Sequence, residues 1–157
     1  MQYFDNSDKF QSITAGLKRG VYIFGHSHIQ WSWTSPDEKV ILINPGSCGL
    51  PLDGIPNSIP YTLLDISDKG DITLTERRIP FSMEDYIEKT ILKSEQYVKA
   101  NVWTKVIQKE LKTAREHLAF FLRFTEKYAN EIKDTRRPYA LETWEKAFEL
   151  WEESLNK

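Results

Sequence analysis

The chain has 157 residues, 40% of them hydrophobic and 13% aromatic, a composition that is typical of a folded globular protein and excludes a disordered or fibrous one. Its 21 lysines and arginines nearly balance 23 aspartates and glutamates, and the net charge of -2 gives no basic field for nucleic acid. The single cysteine, Cys48, cannot form an internal disulfide, and no segment has the length of a membrane span or the pattern of a signal peptide, so we expect a cytoplasmic protein with no membrane association.

Up to about Pro80 the chain consists of short segments separated by Gly, Pro, Asn and Asp. Residues 7–18 predict a helix capped by Ser7 or Asp8. Apolar and alternating runs then predict strands at 21–24, 29–33, 39–44, 61–66 and 71–79. The sequence Asp68-Lys69-Gly70-Asp71 predicts a hairpin turn between the last two strands.

After Pro80 the sequence becomes helical, with no glycine and only one proline, Pro138. Ser82 precedes Asp85 by three residues, which is the capping-box pattern and predicts the start of a helix. Apolar residues spaced by three and four then predict one long helix and, after Pro138, a second: Trp103, Ile107, Leu111, Ala114, Leu118, Phe121 and Leu122, then Leu141, Trp144, Phe148 and Trp151. These stripes are interpreted as packing faces. The sequence therefore predicts an α/β region at 1–80 and an all-helical region at 81–157.

The segment Gly25-His26-Ser27-His28 directly follows the apolar run at 21–24. Because glycine permits a positive φ, we expect the strand to turn at Gly25. The carboxyl ends of strands are where α/β folds place their sites. Imidazole is a common divalent-metal ligand, but two histidines do not fill a coordination shell. The pair is therefore either half of a metal site or a pair of structural or surface histidines.

A second turn follows about twenty residues later, where the strand at 39–44 runs into Asn44-Pro45-Gly46-Ser47-Cys48-Gly49 and then Pro51-Leu52-Asp53-Gly54-Ile55-Pro56. This combination resembles the calcineurin-like metallophosphoesterases, in particular the bacterial and archaeal branch with G-H-[ST]-H and N-P-G-S-x-G motifs. The resemblance covers residues 1–80 and corresponds to the C-terminal half of the family domain. It implies that 1–80 form part of a β-sandwich flanked by helices and that 81–157 are a helical extension.

The resemblance also implies a function and a site. It implies that His26 and His28 ligate two different divalent ions, which could be Mn, Fe, Zn or Ni, and that a metal-bound hydroxide hydrolyses a phosphoester or nucleotide substrate. Gly25, Asn44, Gly46 and Ser47 would shape the loops beside the site. Cys48 occupies the variable position of the motif and is expected to be a small buried filler and not a nucleophile.

The family's other ligand motifs, D-x-H, G-D-x-x-D and G-N-H, are absent from the sequence. The remaining histidine, His117, lies in a predicted helix and is expected to be solvated or interfacial. We therefore expect the C-terminal fragment of a phosphodiesterase or phosphatase, binding metal weakly or not at all and inactive alone. Because strands 21–24 and 39–44 are apolar on both faces, we expect the chain to be poorly soluble, dimeric or stable only with an N-terminal half. The alternative is a non-catalytic protein that uses the helical region for homodimerisation or partner binding.

Overall fold

The computed structural model describes residues 7–156, so that residues 1–6 of the predicted 1–80 region and Lys157 lie outside the described residues. The fold is mixed α/β, as expected for the α/β class. Its elements in chain order are α1 (Ser7–Thr14), β1 (Gly20–Ile23), β2 (Gln30–Thr34), β3 (Val40–Pro45), β4 (Ser58–Ile66), β5 (Ile72–Pro80), α2 (Met83–Tyr86), a π-helical turn (Ile87–Ile91), α3 (Glu95–Lys99), α4 (Asn101–Thr113), α5 (Leu118–Glu131) and α6 (Leu141–Leu155).

The chain divides into two compact units, which are described separately. The first comprises the described residues of Met1–Asp53 and Ser58–Pro80, and the second those of Gly54–Asn57 and Phe81–Lys157. None of the helices within residues 7–156 is long and apolar enough to cross a membrane.

The first unit is organised around β3. Strand β1 pairs with β3 in parallel and β2 pairs with it antiparallel, giving the order β1-β3-β2. Residues Val40 to Asn44 of β3 are all buried, as the apolar run at 39–44 predicts for a strand covered on both faces. Strand β3 is therefore the core of this unit.

Strands β4 and β5 form a separate antiparallel hairpin, which confirms the predicted turn at 68–71. At the turn, the Ser67 amide donates to the Asp71 carbonyl over 2.9 Å, and Gly70 adopts a φ of 82°. Side chains of β2 connect to this hairpin: Gln30 Nε2 donates to the Tyr61 carbonyl (2.8 Å) and Ser32 Oγ to Glu76 Oε1 (2.8 Å).

The second unit is helical, and its core is formed by residues of α4, α5 and α6. Ser82 Oγ accepts the Asp85 amide (3.2 Å) at the start of α2, which confirms the predicted cap. The buried core residues are Val102, Val106, Phe121, Ala147, Phe148 and Trp151.

The prediction of one long helix from Trp103 to Leu122 was wrong. Ala114 has a left-handed φ of 50° and ends α4, and α5 begins only at Leu118. Within α4 the buried face also differs from the predicted stripe, since Trp103 is 41% exposed while Val102 and Val106 are buried.

A buried carboxylate stabilises this break. Glu110, 1% exposed, accepts the amides of His117 (2.8 Å) and Leu118 (2.7 Å) through Oε1, and so caps the N-terminus of α5 from the preceding helix. Its Oε2 is buried, and no hydrogen-bond donor reaches it from residues 7–156. Burial, helped by the neighbouring Glu116, raises the pKa of the Glu110 carboxyl above its usual 4.5.

We expect the stability of the helical unit to fall as the pH rises above about 4.5 toward the raised pKa of Glu110. In that range the folded chain retains a proton that the unfolded chain has released, so rising pH favours unfolding. Glu110→Gln keeps an acceptor oxygen for the two amides and should remove this pH dependence. Glu110→Ala leaves both amides uncapped and should cost about 2 kcal/mol. Hydrogen exchange of the His117 and Leu118 amides between pH 5 and 8 measures both effects, and equal pH slopes in wild type and Glu110→Gln would contradict the assignment.

Candidate functional site

The two loops singled out in the sequence leave the same edge of the three-stranded sheet. Because β1 and β3 are parallel, with Ile23 opposite Ile43, their carboxyl ends are neighbours. The Phe24 amide extends the pairing by donating to the Ile43 carbonyl over 2.7 Å. The histidine turn, residues 25–28, and the turn that begins at Asn44 are thus adjacent.

Both histidines of the turn have a left-handed backbone. The φ of His26 is 72° and that of His28 is 58°. Strand β1 ends at Ile23, so the expected turn from strand to loop forms around Gly25, but Gly25 itself has no positive φ and the left-handed backbone lies at the two histidines. A non-glycine residue in this conformation costs about 1–2 kcal/mol, and two of them in three residues persist only where surrounding contacts hold them.

Asn44, at the end of the neighbouring strand β3, supplies two of the contacts that hold the histidine turn and one contact to the turn at Gly46. Its side chain is 1% exposed; Nδ2 donates to the Gly25 carbonyl (3.2 Å) and to Ser27 Oγ (2.9 Å), and Oδ1 accepts the Gly46 amide (3.0 Å). The Ser27 amide also donates to the Gly25 carbonyl over 2.9 Å. Asn44 therefore connects the histidine turn to the turn at Gly46.

His28 is fixed by the next loop. Its Nδ1 lies 2.8 Å from the Leu50 carbonyl, and because a carbonyl only accepts, Nδ1 carries the proton and the Nε2 lone pair is left for another partner. The Leu52 amide donates to the His28 carbonyl over 3.2 Å. A protein metal ligand typically has this arrangement, with one ring nitrogen donating to a carbonyl and the other directed at the ion.

Unlike His28, His26 is exposed, and no hydrogen bond to its ring is found within residues 7–156. The turn thus presents one imidazole to solvent and holds the second in a defined tautomer.

Gly46 and Ser47 shape the neighbouring turn. Gly46 has a φ of 85°, and a Cβ added there would lie 2.7 Å from Pro60 Cγ and 3.3 Å from Gln30 Cβ. Ser47 Oγ accepts the Leu50 amide over 3.1 Å and so supports the loop that carries the His28 acceptor. Both residues act on loop geometry.

Of the other residues considered in the sequence, none joins the histidine turn by a described contact. Cys48 is exposed with a free thiol, so the expectation that it is a buried filler was wrong. His117 is half-buried in the helical unit, where its Nε2 donates to Thr113 Oγ1 (3.0 Å), and burial lowers its pKa. Two arginines are engaged elsewhere: Arg78 forms an ion pair with the buried carboxylate of Asp53, and Arg136 forms one with Asp134 (2.8 Å).

At the histidine turn, the two imidazoles are the candidate metal donors that the described residues bring together. Across residues 7–156, no group of three or more His, Cys, Asp or Glu side chains has the arrangement of a metal site. Two nitrogen donors fit part of a divalent-metal shell, and the rest of the shell would need further ligands.

Comparison with known proteins found that no family model matches the chain and that no curated protein is significantly similar to it.

We expect Gly46→Ala to destabilise the first unit by about 2 kcal/mol or more. The alanine would have to keep a positive φ, and its methyl group would overlap Pro60. Gly25→Ala is the matched control, because a Cβ added at Gly25 would meet no heavy atom within 4 Å beyond its chain neighbours and the φ of Gly25 is not positive. Urea unfolding of the two variants measures the difference, and equal stabilities would contradict the steric role of Gly46.

Proposed function

We propose that His26 and His28 are two of the ligands of a dinuclear metal centre in a calcineurin-like phosphoesterase, and that the strands of the first unit are part of the sandwich of that family. The observation that carries the proposal is the pair of left-handed histidines at the edge where β1 and β3 end. Backbone strain of this kind is concentrated at functional sites. The hydrogen bond from His28 Nδ1 to the Leu50 carbonyl is also typical of a metal-binding histidine.

The donor set also limits what the described chain does. A dinuclear hydrolytic centre needs carboxylate and further donors in addition to two imidazoles, and we propose that these come from a polypeptide segment outside residues 7–156. Imidazole binds Mn, Fe, Zn and Ni ions, so the availability of these metals determines which ion occupies the site. Bound ions would supply the Lewis acidity that polarises a phosphoester or nucleotide substrate. The role we propose for the described residues is to hold the two histidines in place where β1 and β3 end.

The experiment that tests this proposal has a binding arm and an activity arm. We expect Co²⁺ to broaden the ring-proton NMR signals of His26 and His28 and not those of His117, and His26→Ala or His28→Ala to weaken binding about tenfold or more, because each removes half of the available donors. We expect manganese-dependent hydrolysis of bis-p-nitrophenyl phosphate to stay at background for the 157-residue chain.

Two outcomes would contradict the proposal. Co²⁺ that broadens all three histidines equally would indicate non-specific binding. Turnover by this chain alone that survives both alanine variants would place the chemistry elsewhere. A His117→Ala variant is the matched control, since it should leave Co²⁺ binding at the turn unchanged.

The outer edge of β1 supports the proposed completing segment. In the three-stranded sheet, β1 is a parallel strand at an edge, and no strand pairs with its outer side among the described residues. Ile23 is 65% exposed and Phe24 47% exposed at its end. Parallel strands are normally covered, and an apolar edge favours pairing with another strand. We propose that an apolar strand of the completing segment pairs here.

We expect the isolated chain to self-associate through this edge, since a second copy substitutes for the missing strand. Ile23→Lys places a charge on an exposed position of the edge and should raise the dimer dissociation constant at least tenfold in sedimentation equilibrium. A monomer that melts cooperatively at all concentrations would contradict the edge proposal.

The second candidate function is helix-mediated association without catalysis. It is favoured by exposed apolar side chains on the helices, which include Trp103, Phe120 and Leu141. Phe120→Glu is the matched variant for Ile23→Lys. If Phe120→Glu dissociates the dimer and Ile23→Lys does not, the helical surface is favoured as the interface.

A further inference from the structure

The Asn44 carboxamide has an orientation that chemistry fixes. The Gly46 amide can only donate and the Gly25 carbonyl can only accept, so Oδ1 must face the first and Nδ2 the second. The second Nδ2 proton is used by Ser27 Oγ at 2.9 Å. Both donors and the acceptor of this buried group are therefore satisfied, and each bond ends on one of the two turns at the site.

No other side chain from a neighbouring strand hydrogen-bonds the backbone of the histidine turn among residues 7–156. The contact to His28 from the following loop comes through its ring and from backbone groups. The turn contains both left-handed histidines, and Asn44 grips it at Gly25, just before His26, and at Ser27, between the two.

We propose that Asn44 is a positioning residue, whose carboxamide sets the spacing and direction of the His26 and His28 rings as a pair. It acts through the backbone and Ser27 and does not itself contact a metal. The role of the histidines as metal ligands rests on the proposed function. The effect of Asn44 on the backbone conformation of the turn can be measured without any metal.

Asn44→Asp separates this role from simple packing. The aspartate has the same size and retains an acceptor for the Gly46 amide, but it loses both Nδ2 donations and brings a carboxylate against the Gly25 carbonyl. Ser27→Ala is the milder companion, since it removes only the acceptor at 2.9 Å from a half-buried residue. If Asn44 acts through Ser27, Ser27→Ala should add little in the Asn44→Asp background.

The first readout is the backbone of the turn in the metal-free chain. A positive φ gives a strong intraresidue NOE between the amide and α protons, and we expect this NOE at His26 and His28 in the wild type. We expect it to be lost in Asn44→Asp and weakened in Ser27→Ala, while the thermal unfolding transition of the chain is retained. The second readout is the apparent affinity for Co²⁺, which we expect to fall at least tenfold in Asn44→Asp and about threefold in Ser27→Ala.

The outcomes separate the two proposals. A folded Asn44→Asp that keeps both the NOE pattern and the Co²⁺ affinity would overturn the positioning role and leave the proposed function intact. A wild type that does not bind Co²⁺ would overturn the proposed function, and the NOE arm would still decide the role of Asn44. If Asn44→Asp does not fold, Ser27→Ala decides: an unchanged NOE pattern and affinity would overturn the proposal.

Discussion

The parallel pairing of β1 with β3 is the constraint on which the rest of the first unit depends. It places the ends of two separate strands side by side, and the Phe24 amide continues the ladder to the last residue before the histidine turn. Only with this register does Asn44, the last buried residue of β3, lie under the turn that follows β1. The position of the histidine turn therefore depends on the long-range backbone pairing of β1 with β3, in addition to the residues next to it in the sequence. A shift of one residue would send the Asn44 side chain to the opposite face of the sheet.

Much of the fold was predictable because its determinants are local. The apolar run at 39–44, the Gly70 turn and the Ser82 cap each depend on a few consecutive residues, and each forms where the sequence indicates. The break between α4 and α5 was missed because its determinant is not local. Ala114 has no turn preference, and the capping group of α5 is the Glu110 carboxylate, seven residues before His117. Helical periodicity continues through such a break, so the pattern alone favours one long helix.

The candidate site was predictable in its residues and only partly in its geometry. The motifs identify His26 and His28 and assign Asn44, Gly46 and Ser47 to the loops, but they place the unusual backbone at Gly25, whereas the structure has it at the histidines. The Leu50 carbonyl that fixes His28 could not be found from sequence, since every residue has a carbonyl. A backbone partner leaves no compositional trace.

The two histidines use their nitrogens differently, and this difference bears on their role. A structural histidine normally satisfies both ring nitrogens or packs its ring in a core, as His117 does in part by donating to Thr113 and packing edge-on against Trp151. The residue at His26 is exposed, and His28 uses one ring nitrogen for Leu50, yet both occupy a backbone conformation that glycine would adopt without cost. The hydrogen bond to Leu50 thus accounts for one ring nitrogen of His28 and for neither ring nitrogen of His26. Under the proposed function, the remaining ring nitrogens of both histidines would bind metal ions, and the further ligands of those ions would come from another segment.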